Sequence, residues 1–300
     1  MVEGGMTLFP DELTEPSLAG GKGARLLTLG GIDRVPAWFV IPASVAAAHL
    51  RTLNCPEDAP ASEWRDAIMA APPPAGLAEA VHDGLARLGC SRRPVAVRSS
   101  AAEEDAAGRS YAGQFDSFLN VTGATVVIDA IKRCWASRFN ERSVRYAAAV
   151  GQAHGGGMAV LVQRQVAAAV AGVMFTANPV SGRRDEVVIN ALFGLGEGVV
   201  NGMLAVDMYR VYRGVVIERL VADKESMAAP AAGGGIALAV VAEELRAVPC
   251  LSDSQVLELA ARGLVIQAHC GAPQDIEWCL AEDGWWFLQS RPITTMRKEI

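Results

Sequence analysis

The chain has 300 residues, 51% of them apolar, and a formal net charge of −6. That is enough to bury a sizeable core in one large or several small domains, and the acidic balance argues against a general nucleic-acid-binding surface, so an anionic ligand must be met by a few placed basic groups. Six scattered cysteines without a Cys-x-x-Cys pair read as reduced thiols of a cytoplasmic protein, the N-terminus lacks a secretory pattern, and the apolar run Val160–Val173 is broken by Gln163, Arg164 and Gln165, which argues against a membrane span.

Ser17–Leu29 reads as a glycine-rich turn, Gly20-Gly-Lys-Gly-Ala24, opening a helix. It is not a Walker A loop, yet a lysine in such a turn can reach a phosphate with backbone N–H groups beside it; an ordinary turn is the plainer role. Val35–Pro42 is a proline-bounded strand and Ala43–Leu50 a short helix. Residues 54–75 are rich in Pro and Ala, with Ala71-Pro-Pro-Pro-Ala-Gly76 as a loop, and Leu77–Leu88 reads as helix. Val97-Arg98-Ser99-Ser100 closes the apolar strand Pro94–Ser99 with an arginine; strand ends hold ligands in many sheets, and a solvated edge arginine fits equally. The small, polar stretch 100–116 has a mobile-loop composition.

Phe118–Val121 reads as a strand, Val126–Val150 as helix, and Met158–Val166, Gly172–Thr176 and Glu186–Ala191 as strands. A second glycine loop, Gly194–Gly202, has Glu197 near its centre and suits either a close nucleotide approach or a tight connection. Met208–Arg213 and Val215–Leu220 form a hairpin about Arg213-Gly214, residues 226–240 a loose Ala/Gly loop, and Ser252–Ala268 an amphipathic helix capped by Ser252 or Asp253.

The last segment carries the most chemistry. Two short strands flank a turn at Glu282-Asp283-Gly284. Asp275 and Glu277 are two apart and share a face of the first strand; Gln289 and Arg291 share a face of the second. If the strands pair, oxygen ligands suited to Mg²⁺ and a guanidinium suited to a phosphate converge, as at the triphosphate end of an ATP site. The histidines His49, His82, His154 and His269 are isolated, and no hydrolase or protease motif occurs.

Gly20–Ala24, Val97-Arg-Ser-Ser-Ala-x-Glu-Glu-Asp105, Ser110-Tyr-Ala-Gly-Gln-Phe115, Gln163-Arg-Gln-Val166, Gly172-Val-Met-Phe-Thr-Ala-Asn-Pro-Val-Ser-Gly182, Gly194–Gly202, Asp275-Ile-Glu-Trp278 and Leu288-Gln-Ser-Arg-Pro-Ile-Thr294 occur in an order that resembles one family from about residue 7 to 296. It is the N-terminal ATP-binding domain of phosphoenolpyruvate synthase and pyruvate phosphate dikinase; rifampicin phosphotransferase carries a similar domain. The resemblance implies an α+β, ATP-grasp-type fold whose lobes close over Mg·ATP: 1–105 a first lobe, 106–185 lid and central lobe, 186–300 a C-terminal lobe. It implies phosphate contacts from Lys22, Arg98 and Arg291, a lid containing Gly113 and Gln114, and an adenine pocket lined by Gln163 and Val166. Glu197 and Asp275 would lie beside the nucleotide, with Glu277 and Gln289 as Mg²⁺ ligands. Only Asp207 remains of the family's Thr-Pro-Asp after the second glycine loop. The family's swivelling domain with its phosphoryl-carrying histidine does not follow here. The expectation is therefore an ATP-dependent phosphotransferase part that passes a phosphoryl or pyrophosphoryl group to a histidine on a separate swivel protein. The alternatives are the ATP-binding part of a rifampicin-phosphotransferase-like small-molecule kinase and a non-catalytic nucleotide-binding regulatory subunit.

Overall fold

The computed structural model describes residues 5–56, 59–101, 116–140, 157–197, 202 and 204–294. The chain mixes helix with antiparallel sheet and divides into two compact units. The first comprises 1–27, 37–165 and 233–235; the second comprises 28–36, 166–232 and 236–300. The change at 165/166 falls inside the span expected to hold lid and central lobe.

The first unit is built on a four-stranded antiparallel sheet ordered β1 (Trp38–Ile41), β4 (Ala159–Arg164), β2 (Val95–Ser100), β3 (Ser117–Val121). Alternation sends Phe39, Ile41, Val95, Val97, Val160 and Val162 to one side, where they meet helices α2 (Ala43–Thr52), α3 (Ala61–Ala70), α4 (Leu77–Arg87) and α5 (Ala124–Ser137) in one apolar core. Lys132 of α5 is buried there, and its ammonium donates to Met69 O and Ala71 O at the C-terminal end of α3, each at 2.7 Å. Helix α3 lies in the Pro- and Ala-rich stretch, ahead of its loop, where the residue order predicts no element. Only Ile68 of that helix is buried, so its apolar stripe is nearly absent from the sequence.

The second unit carries a six-stranded antiparallel sheet: β12 (Gly284–Pro292), β11 (Gln274–Ala281), β5 (Val170–Phe175), β6 (Glu186–Phe193), β7 (Asp207–Tyr212) and β8 (Val215–Leu220). After the short α6 (Glu243–Arg246), helix α7 (Asp253–Cys270) covers one face with Val256, Leu259, Ala260, Gly263 and Ile266. Ser252 caps α7 by accepting from Gln255 N, and the Gln255 side chain returns to the Ser252 N–H. Residues 226–240, read as loop, form a two-stranded ribbon, β9 (Ser226–Pro230) and β10 (Ile236–Val240). Neither face of β10 is buried, so no alternation marked it. Among the described residues, no helix is long and apolar enough to cross a membrane.

Candidate functional site

In the first unit the glycine turn is docked on the end of β2. Gly20 has φ +67°, and a Cβ there would lie 1.9 Å from Ser100 O, so only glycine passes. Gly21 N donates to Ala101 O (3.2 Å), Gly23 N to Ser100 Oγ (3.2 Å), and that hydroxyl donates to Ala19 O (2.7 Å). Helix α1 (Gly20–Gly30) thus starts against the strand that carries Arg98, and Lys22 Nζ donates to Ser99 O at 2.9 Å.

The register shows what shares a face with Arg98. Arg98 pairs with Leu161 and Ala96 with Gln163, while Trp38 pairs with Gln163 and Val40 with Leu161. Arg98 and Gln163 therefore lie on the sheet face opposite the apolar core. Gln163 is 2% exposed, and its Nε2 has no hydrogen-bond partner among the described residues. An unmet buried amide costs about 1–3 kcal/mol. It suits a ligand that brings an acceptor, as a purine ring nitrogen does.

In the second unit β11 and β12 join through a two-residue turn, Glu282-Asp283. Trp286 Nε1 donates to Asp283 Oδ1 (2.8 Å), and Arg34 lies 4.0 Å from the Trp286 ring centroid while also pairing with Asp283. From the turn the ladder runs regularly as far as Trp278 opposite Phe287. There it shifts, leaving Leu288 as the extra residue of a bulge, and continues with Glu277 opposite Gln289 and Asp275 opposite Arg291. Arg291 Nε and Nη2 both donate to Asp275 Oδ2, at 2.8 and 2.7 Å. Burial pushes the Asp275 carboxyl above its ordinary range; the neighbouring guanidinium opposes this and Glu277 adds to it.

The same face carries an apolar patch beside this quartet. Cys279 pairs with Ala171 and Trp286, and Val166, Ala168, Ala281 and Leu288 pack against the three. Gly196 stands close to Ala171, which brings the start of the second glycine loop, with Glu197 half-buried, toward this patch. From Cys279 to Asp275 the face changes from apolar, through Glu277 and Gln289, to the Asp275–Arg291 ion pair, over roughly 13 Å of strand. Among the described residues no group of three or more His, Cys, Asp or Glu is placed to hold a metal ion. The Glu277–Gln289 oxygens fit a hard cation whose remaining ligands are phosphate and water, as Mg²⁺ prefers.

The sites expected from sequence thus fall into two groups: Lys22, Arg98 and Gln163 in the first unit, and Val166, Glu197, Asp275, Glu277, Gln289 and Arg291 in the second. Gly113 and Gln114 lie outside the described residues. Two buried polar clusters have partners that the residue order does not show. Asp207 is fully buried: it accepts from Lys224 Nζ (2.6 Å), Ala222 N (2.9 Å) and Cys250 N (2.7 Å), so it anchors the segment. Buried Glu186 accepts from Arg210 and from Asn178 of the Asn-Pro-Val-Ser-Gly turn; these contacts hold its carboxyl below the ordinary range, with Arg210 contributing most.

Residues 16–300 match the profile of the pyruvate phosphate dikinase AMP/ATP-binding domain. A rifampicin phosphotransferase of Streptomyces sp is 40% identical over 92% of this chain and 34% of its own length. The phosphoenolpyruvate synthase of Pyrococcus furiosus is 43% identical over 71% of this chain and 27% of its own, and the probable phosphoenolpyruvate synthase of Methanocaldococcus jannaschii is 35% identical over 96% and 26%. This chain therefore spans about a third or less of the length of these relatives. The D-alanyl-alanine synthetase A of Vibrio cholerae aligns over 92% of this chain and 55% of its own at a TM-score of 0.37 and 10% identity, a likeness that carries no argument. On the profile match over nearly its whole length, the chain belongs to the pyruvate phosphate dikinase AMP/ATP-binding domain family.

Proposed function

We propose that this chain binds Mg·ATP and is the nucleotide-handling part of a cytoplasmic ATP-dependent phosphotransferase. The observation that carries the reading is the β11–β12 register, which sets Glu277 against Gln289 and Asp275 against Arg291 on one face, next to an apolar patch that includes Val166. In this reading Val166 and Gln163 line the adenine pocket, with the unmet Gln163 amide donating to the base. Glu197 lies beside the nucleotide. Lys22, Arg98 and Arg291 hold phosphate oxygens, and Asp275 holds Arg291. Glu277 and Gln289 hold Mg²⁺. The lobes are those of an ATP-grasp-type fold that closes over the nucleotide.

Phosphoryl transfer asks a protein chiefly for positioning and charge neutralisation. Mg²⁺, when bound, neutralises charge on the transferring phosphates. The three cationic side chains add to that and fix the direction of the chain of phosphates, and none of the residues named serves as a covalent nucleophile. The acceptor is a histidine on a separate swivel protein. A second reading, transfer to a hydroxyl of a small molecule, is supported by the 40% identity to a rifampicin phosphotransferase.

Calorimetry with ATP, with and without Mg²⁺, tests the site. Wild type is expected to bind far more tightly with metal, and Glu277→Ala to lose that gain; equal affinities throughout would sink the metal pair. Labelled ATP incubated with histidine-carrier proteins or hydroxylated acceptors then separates the acceptors. Label on neither, under conditions where ATP binds, would favour a regulatory subunit.

A further inference from the structure

The bulge at Leu288 decides which side of the sheet Gln289 and Arg291 occupy. Near the turn, Ala281 opposes Gly284 and Trp278 opposes Phe287. Continued without a bulge, that ladder would set Glu277 against Leu288 and Asp275 against Ser290. Gln289 and Arg291 would then point to the side covered by α7, because a one-residue slip exchanges the faces of a strand. The tight turn therefore specifies the wrong register for the proposed phosphate and metal groups, and something beyond the bulge must hold the right one. Among the described residues strand β12 is at the sheet edge with β11 as its only ladder partner, and its last residue, Pro292, has no N–H to give.

On the side opposite Asp275 and Glu277, a buried polar chain runs through four elements. Ser290 Oγ donates to Gln274 Oε1 (2.7 Å), and Gln274 N donates to Thr176 Oγ1 (2.7 Å). Thr176 N donates to Gln274 O (2.9 Å), and Thr176 Oγ1 donates to Gln267 Oε1 of α7 (2.5 Å). Ser290, Gln274 and Thr176 are each at most 2% exposed. In the bulge-free register Ser290 would leave this side, and Gln274 Oε1 would be buried without the hydroxyl.

We propose that Ser290 and Gln274 are positioning residues: their buried hydrogen bond, tied to Thr176, holds the post-bulge register that presents Gln289 and Arg291 to the nucleotide. The proposal rests on the Mg·ATP reading. On the exposed side the Asp275–Arg291 ion pair also favours this register, but a phosphate competes for that guanidinium, whereas no ligand reaches the buried bond.

The test compares Ser290→Ala and Ser290→Thr in the full chain by amide hydrogen exchange and by ATP calorimetry. Ser290→Ala is expected to speed exchange about tenfold at Asp275–Glu277 and leave Cys279–Ala281 unchanged, as loss of one buried hydrogen bond allows. It is also expected to reduce the Mg²⁺-dependent gain in ATP affinity about tenfold while metal-free binding stays put. Ser290→Thr, which keeps the hydroxyl, restores both. Exchange that rises equally along the hairpin, exchange that does not change, or affinity lost equally with and without metal would overturn it. If wild type shows no Mg²⁺-dependent binding, the nucleotide reading fails, and the exchange measurement still decides the register.

Discussion

Asp275 is held between two opposing influences. Burial raises its proton affinity, and the Arg291 guanidinium lowers it; burial is the larger, so the folded-state pKa stands above the ordinary 3.8. The sign follows from linkage. Between 3.8 and the raised value the folded state binds the proton more than the unfolded state does, so stability falls as pH rises through that window. Asn cannot ionise and escapes this cost. The urea midpoint of Asp275→Asn relative to wild type is therefore expected to improve from acid to neutral pH; a gap independent of pH would contradict it. ATP affinity at neutral pH is expected to fall in the same variant, because Arg291 loses the negative charge that holds it. The residue pairings here were partly legible. Spacing by two gave the shared faces of each strand, and the Asp-Gly turn gave the hairpin. The Leu288 bulge was not legible, since nothing in the residue order marks which strand takes the extra residue, and nothing there sets Ser290 and Gln274 apart from other polar strand residues.

Elements that bury one side wrote their own pattern into the sequence. Helix α7 was legible for that reason, strand β2 as a short apolar run buried on both faces, and the glycine turn ahead of α1 by its composition. The ribbon β9–β10 was not, because β10 is exposed along nearly its whole length. Helix α3 was hidden by its alanines and by the prolines on either side. The glycine turn makes a sharp prediction at this scale. In Gly20→Ala the new methyl would meet Ser100 O, and the left-handed backbone at φ +67° would add about 1 kcal/mol or more of strain. The start of α1 must then lift from β2. Urea unfolding is expected to show a loss larger than that strain alone, and ATP affinity to drop although Lys22 is intact. Wild-type affinity in this variant would mean that the docked turn does not place the lysine.

For the whole molecule, the proposed phosphate contacts come from two units that were invisible as such in the residue order. ATP at about a hundred times its dissociation constant should stabilise the folded chain by about 2.7 kcal/mol. Thermal denaturation with and without Mg·ATP is expected to show that shift in wild type and to lose most of it in Arg98→Met and in Arg291→Met alike. If either variant keeps the full shift, its arginine is not a phosphate contact. The sequence suggested lobes in succession. It gave no sign that residues 28–36 would join the second unit while their flanks on both sides belong to the first.

That short segment also constrains how the protein comes into being. Arg34 O accepts from Phe287 N (2.9 Å), Arg34 pairs with Asp283, and Asp33 accepts from Arg262 (2.9 Å). Arg34 and Asp283 are 249 residues apart. At about 5–20 residues per second, a ribosome delivers the partner roughly 12–50 s after the arginine. In the last part of that interval the first unit's residues are all synthesised, while residues 28–36 still await the closing hairpin of their own unit. The second unit can finish folding only when the hairpin arrives, and a ribosome stalled before Arg262 leaves Asp33 and Arg34 without any of these partners.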